Sequence, residues 1–397
     1  MRPLPGFFPL GAIPRDGEMD PVDSQLDGLL TTAQRETSLL APYAMFSHQS
    51  LGREHPEPEH PYRGPFQRDR DRILHSSAYR RLSGKMQVFT GEMGDYHRTR
   101  LTHTQEVASI ARTIARALRL NEDLVEALAL FHDIGHPPYG HAGEDALDLC
   151  LSQAGGFSHN QYALTIAQEL ECRHVQHPGL NLTREVLFSQ AFRVDKESGN
   201  ESPLLEAQVV DAADSITYDA HDTDDAIKLG LVSLEEFQSL DLILHCLDRI
   251  GDGRKGLDED SLRRAIVHEL IDCQVSNVLE SAGAVLTVSG WESATDAQQD
   301  PFRIAPTGIL KTEKKQLEEF LLDRVYHHPQ VIQTREMAQE HLQRMFDLFC
   351  SKIEMLPQRF RQRADEVGLE RAVGDYLAGM TDRYLENCYR KQFPSVQ

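Results

Sequence analysis

Long apolar runs are absent from this 397-residue chain. No stretch approaches the roughly 20 apolar residues that a helix needs to cross a bilayer, which argues against a membrane protein. The short apolar run at the N-terminus is broken by Pro9 and Pro14 and is too short for a signal-peptide core. Positive charge is also scarce: 41 Lys and Arg stand against 62 Asp and Glu, a net charge of −21. Such a balance predicts a soluble chain that does not hold nucleic acid through bulk charge. A phosphate ester could bind only where Arg, Lys or a metal is concentrated. The six cysteines, Cys150, Cys172, Cys246, Cys273, Cys350 and Cys388, are scattered, with no C-x-x-C pair. They predict reduced thiols of a cytoplasmic protein rather than a disulfide framework. Strand-like alternation is rare, and no internal repeat is visible.

What is present is helical patterning, and the fold class expected is mostly α. Residues 1–40, whose first 30 are rich in Pro, Gly and Asp, are expected as a flexible N-terminal arm. Residues 47–66 carry four prolines and predict a loop. A small hairpin is expected over 192–201, and turns or linkers over 251–260 and 289–301. Residues 41–250 are expected as the core. Residues 251–397 are expected as a further helical region, with strong helix patterns over 310–328 and 334–356. Its apolar residues Leu317, Phe320, Leu321, Val325 and Tyr326 would close the core or meet another subunit.

The chemistry concentrates in residues 98–145. His103 tops an apolar stripe of Val107, Ile110, Ile114 and Leu118 at helical spacing. Asn121 is a good N-cap, with Glu122 and Asp123 where the helix dipole favours anions, and Leu120 with Val125 can staple that cap. Leu124, Leu128 and Phe131 then carry His132 and Asp133 inward, and Gly135, Pro137 and Pro138 stop the helix. Adjacent side chains on a helix point about 100° apart, so both can reach one ion only with ligands from elsewhere. His103 is one candidate. Another is Asp214, which forms with Tyr218 and Asp222 a polar stripe at i, i+4 and i+8, opposite Val209, Ala213 and Ile216. Two His and two Asp would suit one divalent metal ion (Mg, Mn, Fe, Co, Ni or Zn) and leave positions open. Alone, each element has a plainer account: His103 as a cap or surface residue, His-Asp as a common dipeptide, the acids around Asp219–Asp225 as a solvated face. The joint order is far rarer by chance.

This order resembles the HD phosphohydrolase superfamily and, more closely, its deoxyguanosine triphosphate triphosphohydrolase (dGTPase)-like family. The segments that carry the resemblance are FQRDRDRILHSSAYRRLSGKMQVF (66–89), RTRLTHTQEV (98–107), HDIGHPPYGHAGE (132–144), FSHN (157–160), DAADSITYDAHD (211–222) and, more weakly, DRVYHHPQV (323–331). The resemblance implies an HD-domain helical core and hydrolysis of a dNTP to deoxynucleoside and inorganic triphosphate. It implies His103, His132, Asp133 and Asp214 as metal ligands and His141 with Glu144 as the catalytic pair. On the residues alone, Glu144 at i+3 can also hold the His141 imidazole in one tautomer. The resemblance further places His136 and His159 at the phosphates, Arg100 on a phosphate oxygen, Tyr218 and Asp222 at the deoxyribose, and Arg81 near the base. Ser158 departs from the family, which usually has an acid there. His136 also reads as a helix cap and His159 as a loop residue. Arg98 and Arg112, close in sequence to Arg100, suggest phosphate binding on so acidic a chain. Asp69 and Asp71, alternating with Arg68, Arg70 and Arg72, read as a salt-bridge network. Glu106 and Asp145 read as ordinary helix-surface residues. The resemblance implies a homo-oligomer, often a hexamer or tetramer, with nucleotides or single-stranded DNA as effectors in some members. Two other functions stand beside it: a different HD hydrolase (nucleotidase, cyclic-nucleotide or alarmone phosphodiesterase), and a nucleotide-binding regulatory protein with weak catalysis.

Overall fold

The computed structural model describes residues 30–87, 98–172, 175–195 and 202–394. Among these there are eighteen α-helices and no β-strand, only three isolated bridges. No described helix is long and apolar enough to cross a membrane. Most of the expected arm lies outside the described residues. Its end does not behave as an arm: Thr32–Leu39 is a helix whose N-cap Thr31 forms a capping box with Gln34. Glu36 is buried there and accepts from Ser47 N and Asn121 Nδ2 at 2.9 and 3.2 Å. The hairpin expected over 192–201 is corrected for its first residues, because 192–194 end the helix Arg184–Val194. Val186, Ser189 and Gln190 bury one face of that helix, and packing overrides the β-propensity of its last residues. Residues 196–201 lie outside the described part.

The helix Arg100–Ala117 packs on Glu122–Phe131 and on Leu205–Lys228, and these three position the site. Asn121 caps the second of them, accepting from Leu124 N, while Leu120 and Val125 are both buried. Pro65–Leu74 packs behind it. Its charges form the network read from the sequence. Asp69 pairs with Arg53 and accepts from Thr183 N at 2.9 Å, Asp71 takes Arg63 and Arg70, and Arg68 and Arg72 share Glu57. This network pins the proline-rich loop, because Arg53 also donates to Pro65 O and Asn181 O.

One apolar cluster joins Val107, Ile114, Leu124, Phe131, Val209 and Ile216 to Leu342, Met345, Val373, Leu377 and Leu385. A second joins Ala220, Ala226, Phe237 and Leu242 to Leu270, Leu317, Leu321 and Val325. The long helix Glu259–Val288 contributes to both. Residues beyond 300 therefore build the same interior as residues near 100. The expected linker 289–301 contains a short helix, Ala294–Gln299.

Candidate active site

The helix Glu122–Phe131 ends at the doublet, with His132 as its C-cap, and both His132 and Asp133 are buried. His132 Nδ1 lies 2.6 Å from Ala129 O, so that nitrogen donates and Nε2 carries the lone pair. Nε2 is buried without a hydrogen-bond partner and faces Asp133 Oδ1 at 3.5 Å and Asp214 Oδ1 at 3.6 Å. His103 arrives from the first turn of Arg100–Ala117, with Nε2 3.0 Å from the same Asp214 oxygen.

The tautomer of His103 is fixed from behind by two residues whose role the sequence did not reveal. Its Nδ1 lies 3.3 Å from His221 Nδ1, and His221 Nε2 meets the Glu106 carboxylate. Burial pushes His221 down to about 4, so the ring is neutral near pH 7. Burial also opposes ionisation of Glu106, but the His221 hydrogen bond and the nearby charge of Arg98 together hold the carboxyl below its ordinary value. An ionised Glu106 only accepts, so His221 Nε2–H donates to it. His221 Nδ1 must then accept from His103 Nδ1–H, which leaves a lone pair on His103 Nε2. Two imidazole lone pairs thus converge on carboxylate oxygens with no proton between them. His103, His132 and Asp214 offer ligand atoms all within 4.8 Å of one another, and Asp133 adjoins them. This donor set fits a divalent cation with mixed nitrogen and oxygen ligands. Burial raises Asp214, but His132 and His103 hold it far below the usual carboxylate range. Asp133 is held low in the same way, against burial, by His136, His132 and Arg100.

A second group lies alongside. The chain turns through HDIGHPPYGH into the helix Gly140–Cys150, which carries His141 and Glu144 at i and i+3. His141 Nδ1 is 3.1 Å from Glu144 Oε2, and the imidazole is 57% exposed. Glu144 is shared: His159 Nδ1 lies 2.8 Å from Oε1, and His159 N donates to the same oxygen at 2.8 Å. Burial opposes ionisation of Glu144, but His141 and His159 hold the carboxyl far below its usual range. His159 stacks on His136, with centroids 3.8 Å apart. Gly135 makes this possible, since a Cβ there would come within 2.0 Å of His159 O. Both ring nitrogens of His136 are buried without a hydrogen bond, although Nδ1 comes within 2.9 Å of Asp133 Oδ1. Burial, Arg100 and His159 hold His136 well below its ordinary pKa, so it is neutral. His136, His141, Glu144 and His159 also lie close enough to hold an ion.

Tyr218 and Asp222 sit one and two turns beyond Asp214 on the helix Leu205–Lys228. Asp222 is buried, and burial pushes it up to about 8, against the pull of the Tyr326 hydroxyl that donates to it. Tyr326 packs against the second apolar cluster, in keeping with the core placement expected from its sequence pattern, and also reaches the site. It ends a π-helical turn, Leu322–Tyr326, that aims its hydroxyl into the site. Its ring is nearly parallel to Tyr218, 6.3 Å away. Arg100 is 2% exposed and pairs with Asp133 at 2.9 Å. The inference from Arg98 and Arg112 is corrected. Arg98 pairs with Asp224 and Asp225, and Arg112 with Glu122 and Glu126, so both are already neutralised. Arg193, which pairs with Asp211, stands 4.0 Å from Asp214. Arg81 is not brought to this group: it bonds Ser77 and lines a small cleft with Tyr162, Glu171, Arg359 and Phe360. Asp145 is an exposed partner of Arg335, as a surface residue would be.

Residues 100–219, which include all four proposed ligands, match the HD domain family model, and residues 306–391 match the phosphohydrolase-associated domain. The chain is 39% identical over 366 residues to a deoxyguanosinetriphosphate triphosphohydrolase-like protein of an Azoarcus species, across 89% of this chain and 96% of that protein. Similarly named proteins of Geobacter sulfurreducens and Brucella anthropi are 37% and 40% identical. They cover 90% and 89% of this chain and 96% and 95% of their own lengths. With its metal-ligand geometry in place and likeness along nearly the whole of these relatives, the chain belongs to the deoxyguanosinetriphosphate triphosphohydrolase-like family of HD-domain proteins.

Proposed function

We propose that the protein hydrolyses a deoxynucleoside triphosphate to the deoxynucleoside and inorganic triphosphate. The observation that carries this is the convergence of the His103 and His132 lone pairs on Asp214 and Asp133, beside the Glu144-held imidazoles. A divalent cation bound there would polarise a phosphate oxygen and acidify a water. His103, His132, Asp133 and Asp214 would hold it. Glu144 accepts from His141 Nδ1–H, which leaves the exposed His141 Nε2 to take or return a proton at the scissile phosphate ester. His136 is neutral, with Nδ1 2.9 Å from Asp133 Oδ1 and Nε2 without a partner; carrying its proton on Nε2 it would donate to a phosphate oxygen, with His159 stacked behind it. Asp222, when ionised, accepts from the 3′-hydroxyl. Tyr218 packs under the sugar and disfavours a 2′-hydroxyl. Arg100, which pairs with Asp133, would contact a phosphate oxygen. The likeness to proteins named for deoxyguanosinetriphosphate supports this substrate class.

A screen of the four dNTPs and GTP with Mg, Mn and Co tests the proposal. Tripolyphosphate released from dNTPs in preference to GTP is expected. Orthophosphate or pyrophosphate as the sole inorganic product would point to another hydrolase and overturn it. Binding without turnover across all the metals would favour a regulatory protein.

A further inference from the structure

The turn between the doublet and His141 ends on Tyr139, whose φ of 62° is left-handed and uncommon for an aromatic residue. Tyr139 is also the N-cap of Gly140–Cys150 and provides no side-chain cap. Such a conformation persists only where its surroundings over-determine it. The restraint comes from the far end of the chain. Asp382, the first residue of the helix Asp382–Gln392, accepts from Tyr139 N through Oδ1 at 3.0 Å and from Met86 N through Oδ2 at 2.8 Å. Next to Met86, the buried Lys85 amino group donates to His136 O and, at 2.9 Å, to Ala378 O. Lys85 O in turn accepts from Arg100 N at 2.9 Å. A buried carboxyl and a buried amine, the latter pushed down to about 7 by burial, thus each make one hydrogen bond with the main chain of one short turn. Holding two such polar groups out of water for a tie that apolar packing could make is costly. That cost is understandable if the tie must be directional.

We propose that Asp382 and Lys85 are positioning residues for the hydrolysis proposed above: together they brace the His136–Tyr139 turn, and so the spacing of His136 and His141, against the C-terminal helices. Neither touches substrate. Asp382 sets where Gly140–Cys150 begins, and the helix start sets where His141 stands. Lys85 sets the His136 carbonyl and, through Arg100 N, the first turn of the helix that carries His103.

Asp382→Asn tests this directly. Asparagine can accept from one of the two amides but presents its own N–H₂ to the other. Turnover of a dNTP, measured as tripolyphosphate, is expected to fall about 10- to 100-fold in kcat, as for a small misplacement of reacting groups, with KM changed by less than about threefold. Bound metal should stay at the wild-type stoichiometry. Amide exchange in the peptide 136–143 should accelerate about tenfold, while that of Glu122–Phe131 stays unchanged. Leu385→Ala is the control for mere loosening, because Leu385 is buried in the apolar cluster on the same helix and has no polar side-chain atom to bond the turn. It should keep a kcat near wild type. Lys85→Met replaces the buried amino group with an apolar chain of similar length. It should reproduce the kcat loss, and it decides the matter if the Asp382 variant does not fold. A kcat within twofold of wild type in whichever variant decides, or an equal loss in Leu385→Ala, overturns the proposal. If wild type released no tripolyphosphate from any dNTP, the reaction would be overturned rather than the brace, because the exchange comparison needs no turnover.

Discussion

Glu106 lies behind His221, which lies behind His103, and replacing it should weaken metal binding although it is no ligand. The carboxylate fixes which His221 nitrogen carries the proton, and that choice fixes the lone pair on His103 Nε2. Glu106→Gln keeps the shape but removes the charge, and its N–H₂ can donate to His221 Nε2 and reverse both tautomers. Losing an outer partner of a metal-bound histidine typically costs about 10- to 100-fold in affinity. The Glu106 side chain is 50% exposed, so water offsets part of the lost charge. The loss should fall at the low end, about tenfold or about 1.4 kcal/mol. His221→Phe removes the acceptor altogether and strands the His103 Nδ1–H in a buried site, so it should cost more, about 100-fold. The double variant should be no worse than His221→Phe alone, because the two act in series. Calorimetric titration of chelator-treated protein with Mn or Co gives the three dissociation constants. A Glu106→Gln value within twofold of wild type would refute the relay, as would additive losses in the double variant.

Three further outcomes follow from the same geometry. His141→Ala should fold and bind metal yet lose about 10²- to 10⁴-fold in kcat, read by tripolyphosphate release, and wild-type-like activity would remove His141 from proton transfer. Asp69→Ala should lower stability by about 3–5 kcal/mol in urea denaturation, because it strands the Arg53 charge and the Thr183 donors; a loss below about 1 kcal/mol would show that the network relaxes. The pH profile of kcat/KM should reflect Asp222, whose carboxyl sits near 8 in the free protein. The ionised form accepts from the 3′-hydroxyl, so kcat/KM should rise as pH rises through about 8 and level off above it. With a 2′,3′-dideoxy substrate this rise should vanish, and its persistence would assign the titration to another group.

Helix periodicity made the ligand order legible, because His103 and the doublet top or end apolar stripes and Asp214 lies on a polar stripe opposite one, with spacing fixed by 3.6 residues per turn. The proposed ligands, the Glu144 pair and the Asp69 network are each brought together by the packing of the helices that this spacing marks. What stayed hidden are residues whose role depends on a partner far along the chain. Glu106 sits on an exposed face until His221 reaches it from another helix. Tyr326 reads as apolar core until a π-turn rotates its hydroxyl toward Asp222. Asp382 looks like an ordinary acid in a first helical turn, where the dipole alone would account for it. Arg98 and Arg112 misled for the converse reason: a cluster of like charge suggests a ligand only if no acids face it, and Asp224, Asp225, Glu122 and Glu126 do.

The shared interior of residues 107–216 and 342–389 has a bearing on how this protein can be divided. A segment cut to the HD match alone would uncover the helix Gly140–Cys150, on which Pro329–Ser351 and Leu369–Ala378 now pack within the same apolar cluster. Cleavage in the exposed turn at 251–258 should instead leave two pieces that stay associated. The catalytic half is thus inseparable from the half that holds none of its proposed ligands, and a lineage could modify the latter but not discard it.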